Sequence, residues 1–175
     1  YDNPMYYWLG RSYYYYATRE TIVGYVCLTC DANYINGSER EKYNSLLYEA
    51  VEEYFSIVEN EDSAYLTVLA YHNMIANAID YAFEADGVTP QDDRWAYNVI
   101  GVFSKKGAVC EGYAKALQLL LNFSGIENIY VSGYAGGRHA WNMIKLDDGK
   151  WYWCDTTWND DPSAPDGITY DYFCV

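Results

Sequence analysis

Residues 107–121 read Gly-Ala-Val-Cys-Glu-Gly-Tyr-Ala-Lys-Ala-Leu-Gln-Leu-Leu-Leu, and this stretch decides the fold. Ala114, Leu117, Leu120 and Leu121 recur at the three- and four-residue steps of an apolar helix face, and Gly125 supplies a stop. Gly107 precedes the periodic run, so Cys110 falls where a helix begins. A thiol attacks as its thiolate, and the open N–H groups and positive dipole end of a helix start favour an anion there. Of Cys27, Cys30, Cys110, Cys154 and Cys174, only Cys110 is so placed. The glycine-containing approach lets a substrate chain come close and leaves the Cys110 N–H free for an oxyanion. A buried cysteine that only starts a helix has the same spacing, so both readings stand at this point.

Outward from this helix the chain divides. Downstream, residues 128–134, 139–146 and 150–156 read as three strands. Upstream, residues 12–16 and 21–28 are rich in aromatic and β-branched types and read as two more. Ser38 with Glu41 has the form of a capping box, and Tyr43, Leu46, Leu47, Ala50, Val51, Tyr54 and Val58 then mark a helix over 39–59. Ser63 can cap a second helix with the stripe Val68, His72, Ile75, Ile79 and Ala82, ending near Asp86-Gly87. Residues 88–106 read as a connection with one helical turn at 96–99. Helices first and antiparallel strands last place the chain in the α+β class. The expected division is a strand-and-helix extension over 1–62 packed on a core over 63–175.

A nucleophilic thiol needs an imidazole to take its proton and return it to a leaving amine. The sequence holds two histidines. His72 lies on the apolar stripe of the second helix and reads as a hydrogen-bonded core residue. His139 opens a strand after Gly136-Gly137 and is the better candidate. The third member should orient that imidazole. Asp147-Asp148-Gly149 fits a three-residue hairpin loop with Gly149 left-handed, which sets Leu146 opposite Lys150. In that register His139 lies opposite Thr157, and Asp155 is a same-face diagonal neighbour about 7–8 Å away. A two-residue turn would put the two on opposite faces. Trp141, Trp151 and Trp153 share the His139 face and wall it with apolar surface.

Composition bounds the partners. The chain has 175 residues, with 11 basic against 25 acidic, a net charge of −14. That charge repels phosphate backbones and anionic headgroups, so neither nucleic acid nor a membrane is an expected partner. Five cysteines leave at least one thiol unpaired. Cys27 and Cys30 have the spacing of half a zinc site, but a closed site needs about four ligands; small core cysteines are the expectation, with no metal and no cofactor. The loop Trp158-Asn-Asp-Asp-Pro lacks a calcium-loop pattern and reads as a solvated turn. Half of the tyrosine run 13–16 is expected inward by strand alternation. No apolar run approaches the roughly 20 residues of a span. Tyr1 follows no basic-then-apolar segment, so a mature or trimmed fragment is expected.

Three blocks together, Gly-Ala-Val-Cys110-Glu-Gly-Tyr-Ala, His139-Ala-Trp-Asn-Met and Trp-Tyr-Trp-Cys-Asp155-Thr-Thr-Trp, resemble the bacterial transglutaminase-like domain. The resemblance runs from about Leu66 to Phe173 and includes Ile79-Asp-Tyr and Tyr170-Asp-Tyr-Phe. It implies a papain-like core with Cys110 as nucleophile, His139 as general base then acid, and Asp155 as its orienting partner. It further implies an amide acyl hydrolase or acyl transferase acting on protein or peptide substrates, deployed by secretion or at the cell surface. The competing expectation is a cell-surface module that binds peptide or glycan through its tyrosine-rich face.

Overall fold

The computed structural model describes residues 3–18 and 21–175. Its centre is the helix read first from the sequence, α3 (Cys110–Phe123), along which all residues from Gly112 to Leu121 except Lys115 are buried. Two helices pack on it. α1 (Gly37–Val58) contributes Leu47, Val51, Tyr54 and Val58, and α2 (Ala64–Ala78) contributes Val68, Tyr71 and Ile75, all within one apolar cluster that includes Leu117, Leu120 and Leu121. Leu-, Val- and Tyr-sized side chains buried at this density supply the main stabilisation, about 1.5–3 kcal/mol each.

The other side of α3 is covered by an antiparallel sheet of β5 (Asn128–Tyr134), β6 (Arg138–Lys145) and β7 (Trp151–Cys154), in that order. Alternation along β6 buries Ala140, Asn142 and Ile144. Asn142 donates its side-chain N–H to the Ala114 carbonyl at 3.0 Å, which fixes the height of β6 against α3. The β6–β7 register pairs Asn142 with Cys154 and Lys145 with Trp151, as the three-residue loop requires. Leu146 N–H donates to the Lys150 carbonyl at 3.0 Å, and Gly149 is left-handed with φ 76.

Several boundaries differ from expectation. α1 starts at Gly37 and is capped by Asn36, whose Oδ1 accepts the Ser38 N–H at 3.0 Å, so Ser38 lies inside the helix instead of capping it. Ser63 does cap α2 by position, but the bond to the Ala64 N–H comes from Asp147 at 2.9 Å. α2 stops at Ala78, eight residues short, because Asp80–Tyr81 form strand β3, parallel to β4 (Gly107–Ala108). The connection holds a 3-10 turn at Arg94–Tyr97 and a π-helical turn at Gly101–Lys105. β7 ends at Cys154, where the expected strand ran to 156.

β1 (Leu9–Thr18) and β2 (Thr21–Cys30) form a two-stranded ribbon of their own. Tyr13, Tyr14, Tyr15 and Tyr16 are all exposed, so among the described residues the inward half expected from alternation is absent. Cys27 is exposed on this ribbon, against the expectation of a core position. Among the described residues no group of three His, Cys, Asp or Glu side chains is placed to hold a metal, and no helix is long and apolar enough to cross a membrane.

Candidate active site

The short parallel pair β3–β4 delivers the chain to the N-terminus of α3 with Cys110 as its first residue and Val109 as the extended residue before it. The start of α3 sits hard against the preceding connection. A Cβ on Gly112 would lie 2.5 Å from the Ala96 carbonyl oxygen and 2.7 Å from the Ala108 Cβ. Only glycine fits two residues after the cysteine, which is the physical content of the Cys-Glu-Gly spacing. Behind it, the buried Tyr113 donates its hydroxyl to Asp160. Burial and that carboxylate hold the phenol well above its ordinary range.

His139, on β6, brings its imidazole to both other members of the predicted set. Nε2 lies 2.5 Å from Oδ2 of Asp155, which leaves Nδ1 for Cys110, with which His139 lines one cleft. Burial pulls the imidazole pKa down. The hydrogen bonds to Asp155 and Cys110, with their negative charge, outweigh it and push the value up to about 9. The structure therefore brings Cys110, His139 and Asp155 together.

Asp155 reaches this position by a route the sequence did not give. It is the cap of a short helix, α4 (Thr156–Asn159), and its Oδ1 accepts the Trp158 N–H at 3.1 Å. Its own N–H donates to the Tyr172 carbonyl at 2.9 Å, so the C-terminal segment replaces β6 as its backbone partner. A strand-end carboxylate with one oxygen on a helix start and the other on an imidazole has little freedom to turn.

Aromatic rings enclose the pair. Trp158 stacks on His139 with ring centres 4.6 Å apart and planes 16° from parallel; Trp141 stacks on the ring at 5.7 Å, and Trp153 on Trp141 at 5.5 Å. Trp141, Trp151 and Trp153 all stand on the His139 face as the register required, Trp151 opposite Lys145 and Trp153 opposite Met143, although Trp151 and Trp153 are both exposed. The string Trp158-Asn-Asp-Asp-Pro has the composition of a solvated turn. In fact Asn159 is fully buried and donates to Nε2 of His72 at 3.0 Å, and Asp160 is tied to Tyr113. The signal lay in spacing: Trp158 follows a capping aspartate by three, one helical turn. His72 is fully buried beneath this loop, and burial lowers its pKa, as a core histidine requires.

Cys110 and His139 open on a cleft of about 770 Å³, lined also by Tyr81, Tyr97, Tyr130 and Arg138. The Tyr81 phenol lines the cleft beside Cys110; burial, foremost, pushes that phenol up to about 12. Tyr81 was noted only within a shared motif. Its placement depends on β3 pairing with β4, a contact between residues 27 apart in the sequence, which periodicity cannot reveal.

A family model described as the transglutaminase-like superfamily matches residues 54–156, more than half of the chain. Among solved structures, the crystal structure of a TGase is similar at 20% identity and a TM-score of 0.53, over 86% of this chain and 45% of that one. A candidate cysteine protease from Cytophaga hutchinsonii is similar at 15% identity and a TM-score of 0.48, over 83% of this chain and 61% of that one. The chain thus spans less than two thirds of the length of either. No curated protein matches it.

Proposed function

Because the chain belongs to the transglutaminase-like superfamily, we propose that it is a thiol-dependent amide acyl hydrolase or acyl transferase working through a thioester on Cys110, with protein or peptide amides as donors. The observation that carries this reading is one imidazole held 2.5 Å from a carboxylate and opening with the helix-start thiol on a single cleft. In the proposed cycle Cys110 gives its proton to His139 and attacks the amide carbonyl. His139, with a pKa of about 9, holds that proton at neutral pH and passes it to the departing amine or ammonia. Asp155 keeps the ring oriented throughout. Charge developing on the carbonyl oxygen meets the Cys110 N–H and the Tyr81 hydroxyl, from two residues that line the cleft. Water or an amine, deprotonated by His139, then releases the acyl group; by analogy with compact bacterial members of the family, water is the preferred acceptor.

Cysteine labelling tests the core of the proposal. Iodoacetamide at pH 7, with sites read by mass spectrometry, should modify Cys110 ahead of the other four thiols, and His139→Ala should slow that labelling at least tenfold. Peptide amides should then release ammonia or amine, and a labelled primary amine tests for transfer. Equal labelling of Cys110 in the two proteins, with no turnover, would instead leave a peptide- or glycan-binding module.

A further inference from the structure

Three cysteines besides Cys110 are at least partly sheltered, and two of them lie on neighbouring segments. Trp153 and Val175 exchange two backbone hydrogen bonds, 2.9 and 3.1 Å, so the C-terminal residues run antiparallel along the free edge of β7. The next regular bond on that edge is displaced: Asp155 N–H goes to the Tyr172 carbonyl at 2.9 Å, while Cys154 bridges Phe173. Phe173 and Cys174 together therefore oppose Cys154, which is a β-bulge. Cys174 takes the left-handed conformation at φ 53, costly for a residue with a Cβ, and the bulge sets it across the strand edge from Cys154. We infer that Cys154 and Cys174 form an oxidisable dithiol, a modification site separate from Cys110, at which a hydroperoxide joins the two sulfurs and locks the C-terminal segment onto β7.

The two thiols divide the chemistry. Cys154 is fully buried and Cys174 is partly exposed. The neighbouring Cys174 and burial push the Cys154 thiol up, while the neighbouring Cys154 pulls Cys174 down. Cys174 thus has both the access and the thiolate character to react first. Its sulfur attacks one peroxide oxygen, the O–O bond breaks, and a sulfenic acid forms with loss of an alcohol, or of water from hydrogen peroxide. The Cys154 sulfur then displaces the sulfenic hydroxyl, which leaves as water with the thiol proton. Two thiols lose two electrons and the peroxide gains them.

The lock bears on the cleft through short links. The Tyr172 carbonyl holds the Asp155 N–H, the Tyr172 N–H donates to Asn159 at 3.0 Å, and the Tyr172 ring packs on Trp158 at 4.8 Å. A bond from Cys174 to Cys154 fixes the segment that backs both Asp155 and Trp158.

The test uses the whole chain carrying Cys110→Ser, so that the active-site thiol does not compete. After reduction, treatment with a few equivalents of hydrogen peroxide, alkylation in denaturant and digestion, the peptides bearing Cys154 and Cys174 should appear joined and two hydrogens lighter. Dithiothreitol should separate them. The oxidised protein should melt about 5–10 °C higher than the reduced one. Cys174→Ser, at a partly exposed site, should fold and lose both effects. Recovery of Cys154 and Cys174 as two separately alkylated thiols, or linkage of Cys174 to Cys27 or Cys30, overturns the inference. A Cys154–Cys174 link with an unchanged melting temperature overturns the lock.

Discussion

Nε2 of His139 stands 2.5 Å from Oδ2 of Asp155, while Oδ1 of the same carboxylate accepts the Trp158 N–H at 3.1 Å. One carboxylate thus both starts α4 and aims the imidazole. Asp155→Asn keeps an oxygen for the cap, but its amide presents a donor to Nε2 and forces the other ring tautomer. The fold should persist by circular dichroism, and turnover of a peptide amide should fall by roughly 10²–10⁴-fold. Near-normal turnover would remove Asp155 from the mechanism.

The two histidines should give stability opposite pH slopes. His139 is raised from 6.5 to about 9 in the folded state, so its contribution is complete below about 6.5 and is lost as pH rises through 9. His72 is lowered by burial, so the unfolded chain takes up its proton first and stability falls as pH drops below about 6.5. Urea unfolding from pH 5 to 10 should show a maximum between these limbs. His139→Gln should flatten the alkaline limb and His72→Gln the acid one. A single slope of unchanged shape in both variants would contradict this assignment.

Much of this site was legible because it depends on local rules. Asp147-Asp148-Gly149 fixed a loop length, the loop length fixed a register, and the register put His139, Trp141 and Trp153 on one face. The helix start at Cys110 followed from periodicity and a glycine. What escaped rests on distant pairing. Asp155 was placed on a strand because nothing local shows that Tyr172 takes its N–H. α2 was carried too far because the apolar Ile79 and Ala82 fit its stripe, while the pairing of Asp80–Tyr81 with Gly107–Ala108 breaks it. Trp158 was lost with the loop, since a Trp-Asn-Asp-Asp-Pro string resembles a solvated turn until Tyr113 and His72 are known to lie beneath it.

Trp158 offers a separable effect, because it stacks on His139 without lining the cleft. Trp158→Ala removes a ring contact of about 0.5–1.5 kcal/mol. We expect kcat to drop about 3–10-fold with KM unchanged. A rise in KM at constant kcat would mean that the indole meets substrate instead.

Gly112→Ala should be costly for reasons of space alone. Its Cβ would lie 2.5 Å from the Ala96 carbonyl oxygen and 2.7 Å from the Ala108 Cβ, and neither is the end of a flexible side chain. Relief requires α3 to shift at its first turn, at a cost of about 1–3 kcal/mol, and Cys110 moves with it. Denaturant unfolding should record that loss, with activity falling further than stability. Gly137→Ala, which meets nothing within 4 Å, is the control and should unfold like the parent. Equal stability of the two variants would refute the packing argument.

Tyr81→Phe separates two parts that a phenol at this position can play. Tyr81 lines the cleft beside Cys110, and burial holds its proton to about 12, so at neutral pH the hydroxyl is a donor and not a competing anion. If it serves the developing oxyanion, Phe should lower kcat by roughly 10²–10³-fold. Alkylation by iodoacetamide builds no oxyanion, so its rate at Cys110 should stay within about twofold. That combination is the expected result. Were the hydroxyl only a plug on the N–H, its removal would free the donor and kcat/KM would rise, which stopped-flow measurement of acyl-enzyme formation would register directly.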